Sequence, residues 1–428
     1  MLDQPHTRTV QHHAQLDLHV AQHAVLEELA NPAANLEEMV AVNLPLVEVP
    51  IVDYGVDEDH MVAYRERGTL RALALDNRGP IRFDDNGRLH PDIIDSYSRH
   101  GFYVLTGVIG ERELDEIEAD VADMLDRAPI SKDADIDRHG NTALGAGLQG
   151  RNISWVRPLS DPLGGTSAAY GRHEAKMGEP SPPIEAPEHV VQLFLGSLQF
   201  SDACLRLYGH PQLLRVAEAI NGPDFTPFNE AVWVKQPGLG GSVAWHQDGW
   251  THWESPYLDE HTHGFNFMAQ LYGCDATNGL WVVPGSHRTG KADIKGKVEA
   301  AGSDRLPDAV PLICEPGDVA INSRQAIHGS FANTSSKTRV TINFGFHRRA
   351  SVFGIQSGGV HNPVSEYDNE YIFERSKAIA WAIDARSQHF LDEERYVYEP
   401  FRGLENQFVW DEATKSELRD YNLRDIGI

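Results

Sequence analysis

The sequence predicts a mainly β protein with flanking helices, built on an antiparallel double-stranded β-helix, or jelly roll. Two observations carry this. Between Phe228 and Arg349 seven runs rich in β-branched and aromatic residues follow one another: AVWVKQP, SVAWHQD, GFNFMAQLYG, LWVVPGS, VPLICEP, DVAINS and TRVTINFGFH. The turn-forming stretches PGLGG, TNG, EPGD and ANTSSK separate them, which is the spacing of an all-β unit.

The elements before and after this region read in order. Residues 7–38 carry a helical pattern, with Leu16, Val20 and Ala24 at three-to-four spacing. Its histidines, His12, His13, His19 and His23, include one i,i+4 pair, but no carboxylate or cysteine completes a metal set, so polar-face histidines are the simpler reading. Residues 1–90 as a whole read as an N-terminal extension packed on the core. In residues 93–125 a β-rich run, Gly101 to Val108, is followed by an amphipathic helix from about Arg112, and the core domain, residues 91–350, begins here. Residues 129–190 are glycine-rich and contain EPSPPIEAP, which suits a lid-like insertion. Arg151 and Trp155 within it are candidate substrate contacts. Helical patterning resumes over 188–221, and residues 351–428 form a C-terminal extension.

Composition excludes several classes. In 428 residues, 63 acidic side chains against 37 basic ones give a formal charge of −26, so the long-range field repels nucleic acid and anionic membrane surfaces. A local cationic pocket for a small anion is compatible with that field. Cys204, Cys274 and Cys314 are odd in number and far apart, which fits neither a disulfide framework nor zinc-finger spacing and suggests a reducing, cytoplasmic setting. No run approaches the roughly 18 apolar residues of a membrane span.

The chemistry begins at WHQDGW. His246 and Asp248 stand two apart in a strand, and because strand side chains alternate with period two, both face one way. A second histidine added to such a pair makes the two-His, one-carboxylate facial triad of non-haem Fe(II) oxygenases, which leaves coordination positions open. His-x-Asp alone occurs in many unrelated proteins. Of the nearby histidines, His252, His261, His263, His287 and His347 compete, and His287 after PGS reads as part of a surface turn. His328, in QAIHGSF, is preferred for its neighbours toward the C-terminus. The turn-rich ANTSSK lies between His328 and Arg339, and a hairpin centred near Asn333 and Thr334 would set the two opposite each other, with Ser330 on the face of His328. A guanidinium fork and a hydroxyl beside the metal suit the far carboxylate of 2-oxoglutarate, whose keto acid end would chelate iron. A cross-strand salt bridge is the plainer alternative.

With these residues in view a resemblance becomes specific. WHQDGW, NGLWVVPGSHR, PGDVAINSRQAIHGSF and TRVTINFGFHRR, in this order, resemble the phytanoyl-CoA dioxygenase-like family, as does the strand and helix of residues 93–125. The resemblance covers about residues 93–350 and implies a double-stranded β-helix using Fe(II), 2-oxoglutarate and O₂. It implies iron ligands at His246, Asp248 and His328, and 2-oxoglutarate contacts at Arg339 and Ser330; Lys235 in VKQPG occupies a strand position compatible with the same site. Asp248 argues against halogenation, which in related enzymes uses the place of the missing carboxylate. Hydroxylation of a small-molecule metabolite is the default outcome; desaturation, ring closure and epimerisation share its chemistry. Trp245 and Trp250 are candidate walls for the substrate. Gln270, which shares one strand face with Asn266, Met268 and Tyr272, is a candidate contact. A cupin-like metal-dependent isomerase or hydrolase, or a non-catalytic metal-binding sensor, would use the same triad without needing Arg339 and Ser330. The sequence names neither the primary substrate nor the oligomeric state.

Overall fold

The computed structural model of the protein describes residues 52–150, 152–167, 171–228, 230–248, 264–357 and 364–425. The helix expected over residues 7–38, with its four histidines, lies outside them.

The seven expected β runs are strands, and they divide between two sheets. The larger sheet runs, neighbour by neighbour, Arg78–Gly79, Phe102–Leu105, Val319–Ser323, Phe265–Gln270, Arg339–Arg348, Ala231–Lys235, Val190–Leu195 and Ile153–Val156. The smaller sheet is ordered Val310–Pro311, Trp281–Val282, His328–Ser330 and Val243–His246. From Ala231 to Arg348 the chain therefore passes repeatedly from one sheet to the other, and the pairing within this stretch is antiparallel throughout. That winding is the double-stranded β-helix.

Alternation along the strands sorts the two faces of the larger sheet. Phe265, Phe267, Ala269, Val340, Ile342, Phe344, Phe346, Val319 and Ile321 join one apolar cluster with Ile117, Val121, Leu214 and Ile379 of the surrounding helices. The intervening residues Met268 and Ala320 instead pack with Leu280, Val282 and Val310 of the smaller sheet. Each large apolar side chain so buried contributes about 1.5–3 kcal/mol, so a one-residue slip of any of these strands would forfeit several such contributions at once. Past Met268 and Ala320, the inward positions Asn266, Gln270, Asn322, Arg339 and Thr341 are polar and buried.

Flanking elements close the barrel. Helix Glu58–Leu73 lays Tyr64 flat on Trp281, with ring centroids 4.5 Å apart, and Gly68 meets the same indole where a Cβ would stand 2.5 Å from it. Helix Asn369–His389, with Asp368 capping the amide of Tyr371, contributes Ala378, Ile379 and Ile383 to the outer cluster. No helix among the described residues is long and apolar enough to cross a membrane. Cys204, Cys274 and Cys314 are free and buried.

Two expectations are corrected. His328 and Arg339 do not form a hairpin: His328 pairs with His246 and Val282 in the smaller sheet, whereas Arg339 pairs with Lys235 in the larger. The intervening segment crosses between sheets because Asn333 anchors it, donating from Nδ2 to Lys235 O (3.1 Å), Gln236 O (3.1 Å) and Lys337 O (2.8 Å). Turn residues alone do not distinguish a hairpin from such a crossing. Residues 188–221 are not all helical either: Val190–Leu195 is a strand between Ile153–Val156 and Ala231–Lys235, and helices occupy Asp202–Tyr208 and Pro211–Asn221. VVQLFL is apolar enough for both faces to be buried, which removes the period-two signal.

Candidate metal centre

The smaller sheet builds the centre. His246 ends one strand and His328 begins its neighbour, and the two are register partners, so their imidazoles meet with centroids 4.1 Å apart. Asp248, two residues beyond His246, is held by its backbone amide, which donates to Arg324 O at 2.8 Å. One ligand atom from each of His246, Asp248 and His328 lies within 4.8 Å of the other two.

The donor atoms are aimed as a metal requires. His246 Nδ1 is 2.7 Å from Ala244 O and His328 Nδ1 is 2.9 Å from Ala326 O, so each ring donates at Nδ1 and keeps the Nε2 lone pair free. Those Nε2 atoms stand 3.7 Å from Asp248 Oδ1 and 3.9 Å from Asp248 Oδ2 respectively. Burial, aided by the charges around His328, His173 and Arg172, holds His246 well below the ordinary histidine value, and burial also depresses His328 against the pull of Asp248. Both rings are thus neutral, as ligands must be. Burial pushes Asp248 the other way, but the guanidinium of Arg324, then that of Arg172, outweighs it and holds the carboxyl well below its usual range. A borderline nitrogen pair with one hard oxygen fits Fe(II), and three donors from one side leave room for further ligands.

Two residues past His328, Ser330 accepts a hydrogen bond from Lys235 Nζ at 2.8 Å, and Lys235 also reaches Phe331 O at 2.7 Å. This bond ties the two sheets together, and Gly240 lets the loop fold back over Lys235, since a Cβ there would stand 2.6 Å from the lysine Cβ. Arg339, directly opposite Lys235, donates from Nε to Thr341 Oγ1 (2.9 Å) and from Nη1 to Asn278 O (3.2 Å). Both cations are buried, and among the described residues neither has a carboxylate at ion-pair distance. Burial, then the charge of Arg339, drives Lys235 well below the usual lysine value.

The remaining candidates scatter. Gln270 joins the Arg339 network, its Oε1 accepting from Thr341 Oγ1 at 3.0 Å. Trp245 alternates away from His246 into a cluster with Trp281 and Phe331, its Nε1 donating to Asp304 O at 2.6 Å, so it packs behind the centre instead of walling it. Trp155 lies in the end strand of the larger sheet, paired with Val191, and not in the sheet that carries His246 and His328. Arg151 and Trp250 lie outside the described residues. His287 is buried instead of exposed: Gly101 leaves room for its ring, and its Nε2 is 3.0 Å from Ser98 O.

Sequence reasoning missed three contacts of the centre. Arg324 Nε lies 3.7 Å from Asp248 Oδ2, and Asn266 Nδ2 lies 3.4 Å from the same oxygen. Arg172, from the insertion, places Nη1 3.3 Å from Asp248 Oδ1. An arginine between the strand VAINS and the ligand His328 was a signal for Arg324; GRHEAK offered none for Arg172, whose approach is tertiary.

The family profile described as Phytanoyl-CoA dioxygenase (PhyH) matches residues 170–341. "Phytanoyl-CoA dioxygenase 1" of Oryza sativa subsp. japonica is 32% identical over 117 residues, 26% of this chain and 40% of that protein. "Phytanoyl-CoA dioxygenase" of Arabidopsis thaliana is 34% identical over 113 residues, 24% of this chain and 38% of the other. The chain thus spans about two fifths of the length of these relatives. Among solved structures, EctD from S. alaskensis with 2-oxoglutarate and 5-hydroxyectoine aligns over 65% of this chain and 81% of its own, at 18% identity and a TM-score of 0.44.

Proposed function

We propose that this chain, of the phytanoyl-CoA dioxygenase-like family through residues 170–341, is an Fe(II)- and 2-oxoglutarate-dependent dioxygenase that hydroxylates a small-molecule metabolite. The observation that carries the reading is the buried guanidinium of Arg339, without a carboxylate partner among the described residues, beside a buried His-Asp-His triad, with Ser330 held nearby by Lys235. A buried charge without a counter-charge is costly, and a dicarboxylate that reaches from the triad to Arg339 removes the cost.

His246, Asp248 and His328 would hold iron, which when bound supplies activation of O₂ coupled to oxidative decarboxylation of 2-oxoglutarate to succinate and CO₂. The chain's own residues do the rest. Arg339 binds the far carboxylate, its fork oriented by Thr341 and Asn278, and Ser330 offers a hydroxyl held in place by Lys235. The bonds from His246 Nδ1 and His328 Nδ1 to backbone carbonyls keep both rings aimed without a proton on Nε2. His246, Asp248, His328, Ser330 and Arg339 are all buried, which strengthens each of these polar contacts. A cytoplasmic setting goes with the free thiols.

The test is a pair of anaerobic calorimetric titrations, Fe(II) into the metal-free protein and then 2-oxoglutarate into the loaded protein, followed by succinate release in air against a metabolite panel. Saturable 2-oxoglutarate binding that requires metal supports the reading. Metal binding without it would move the protein to the cupin-like isomerases or hydrolases.

A further inference from the structure

Away from the metal centre, the fold brings two of the three thiols together. Cys274 and Cys314 are directly opposed across an antiparallel bridge and exchange both backbone bonds, Cys274 N donating to Cys314 O at 2.9 Å and Cys314 N to Cys274 O at 3.0 Å. Opposed residues of such a pair project from one face. Both side chains enter the apolar cluster of Leu280, Val282, Val310 and Leu312, and a hydrogen bond joins the two thiols. Cys204 belongs to the outer cluster instead.

The register suits a disulfide that opens again. In a hydrogen-bonded antiparallel pair the Cα atoms stand about 5.5 Å apart, close to the commonest spacing across a disulfide. The Cβ atoms of such a pair, about 4.5–5.5 Å apart, have to close to about 3.8 Å. Closure therefore strains the pair, and a strained disulfide is readily reduced. That behaviour belongs to a transient bond in a reducing setting, not to a structural staple. The bond to Cys274, then burial, holds the Cys314 thiol well above its ordinary value, so Cys274 is the thiol that yields the nucleophile.

The pair stands at the root of the turn that orients Arg339. Asp275 follows Cys274 and opens this turn, which Gly279 N closes by donating to Asp275 O at 2.7 Å, while Asp275 N donates to Asn278 Oδ1 at 3.1 Å. The carbonyl of Asn278 in the same turn accepts from Arg339 Nη1 at 3.2 Å. Beyond the turn, Leu312 N donates to Leu280 O at 2.7 Å, so the segment that carries Cys314 runs along both ends of it. Burial lowers Arg339, and the neighbouring sulfurs of Cys274 and Cys314 oppose that shift, which places both beside the guanidinium. Gly273 allows the backbones to press together, since a Cβ there would stand 2.5 Å from Cys314 O. Drawing Cys274 toward Cys314 therefore displaces the end of the turn and, with it, the carbonyl that holds the Arg339 fork.

We propose that Cys274 and Cys314 are an oxidation site at which hydrogen peroxide closes a reversible disulfide, and that the closed disulfide misaligns Arg339 and weakens 2-oxoglutarate binding. The effect on 2-oxoglutarate rests on the dioxygenase reading above; the disulfide does not. Cys274 Sγ, as thiolate, attacks one peroxide oxygen; the O–O bond breaks, and the departing hydroxide leaves as water with the thiol proton. The Cys314 sulfur then attacks the sulfenic sulfur so formed; the S–S bond forms, the S–O bond breaks, and a second water leaves with the Cys314 proton. Two thiols are oxidised by two electrons together, and one peroxide is reduced to two waters.

The experiment uses full-length protein loaded with Zn(II), which is redox-inert, before and after hydrogen peroxide and again after dithiothreitol. Peptide mass spectrometry without reduction should find Cys274 linked to Cys314 within one chain, with Cys204 still open to alkylation, and dithiothreitol should undo the link. Calorimetry should show 2-oxoglutarate binding at least about three-fold weaker in the oxidised protein, part of the contribution of one hydrogen bond to a charged group, with recovery on reduction. Cys274→Ala and Cys314→Ala should each abolish both the link and the sensitivity to peroxide, and either variant that folds suffices; Cys204→Ala should retain both. No link, a link through Cys204 or between chains, or sulfinic acid in its place overturns the oxidation site. A link with unchanged 2-oxoglutarate affinity overturns its coupling to Arg339. Failure of the reduced protein to bind 2-oxoglutarate overturns the dioxygenase reading and that coupling, and the mass spectra still decide the disulfide.

Discussion

Arg324 and Asp248 are joined twice, through the bond from Asp248 N to Arg324 O at 2.8 Å and through the approach of Arg324 Nε to within 3.7 Å of Asp248 Oδ2. The first contact joins backbone atoms and survives a change of side chain at Arg324; the second depends on the guanidinium. Arg324→Leu removes a buried partner from a buried carboxylate, so the metal-free protein should lose about 3 kcal/mol of stability. A divalent metal returns a cation to Asp248, so the loaded protein should lose distinctly less. Denaturant melts with and without Zn(II) measure both losses, and equal losses would reduce Arg324 to a packing residue.

Arg339→Lys keeps the charge opposite Lys235 but removes the fork that Thr341 and Asn278 orient. Hydrogen bonds to charged groups contribute about 1.5–3 kcal/mol, so 2-oxoglutarate should bind roughly ten- to a hundred-fold more weakly. Metal affinity in the absence of 2-oxoglutarate should barely change. Anaerobic titrations of wild type and variant settle it, and unchanged 2-oxoglutarate affinity would remove Arg339 from the site.

Asn333 is fully buried and its Nδ2 serves three carbonyls, those of Lys235, Gln236 and Lys337. Asn333→Ala removes these three bonds and loosens the crossing that sets Ser330 against Lys235, although Gln236 O keeps the amides of Leu239 and Gly240. The expected cost is about 2–4 kcal/mol in stability, from one to two unsatisfied buried groups. The 2-oxoglutarate affinity should fall more than the metal affinity, because the crossing lies beyond His328. Equal declines in both would point to general loosening of the barrel.

Glu230 gives a pH dependence of stability away from the centre. Its carboxyl accepts from Ser197 N at 3.0 Å, from Ser197 Oγ at 2.5 Å and from the Tyr421 hydroxyl, and burial, then Asp425, pushes its pKa from 4.5 up to about 8. The folded value is the higher one, so the folded state keeps a proton that the unfolded chain releases. That contribution is complete below the unfolded value of 4.5 and is lost as pH rises toward about 8. Within this window the slope is about 1.4 kcal/mol per pH unit. Glu230→Gln imitates the protonated form, so wild type should lose about 2 kcal/mol more than the variant between about pH 6 and pH 7.5. Urea unfolding at the two pH values is the measurement; parallel behaviour would mean that Glu230 is ionised in the folded protein.

The β-helix strands were legible because each buries one face at a time or alternates polar with apolar, as in Phe265–Gln270, where Phe265, Phe267 and Ala269 face the helices while Asn266, Met268 and Gln270 face inward. His246 and Asp248 were legible as a pair for the same reason, since period two is a local property of the strand. Val190–Leu195 was not, because VVQLFL is apolar at every position but one and so shows no alternation to read.

By itself the sequence determined the run of strands, the His-x-Asp pair and the types of the groups that surround it: imidazole, carboxylate, guanidinium, hydroxyl and ammonium. These depend on covalent chemistry and on backbone alternation, which reach only a few residues. Tertiary structure decided which of them meet. It placed His328 beside His246 through strand pairing, and it separated His328 from Arg339 onto different sheets while joining Ser330 to Lys235 across the gap between them. It also brought Arg172 from a glycine-rich insertion onto Asp248. A turn of given composition is compatible with more than one crossing, and only the buried hydrogen bonds and packing of the whole barrel select among them.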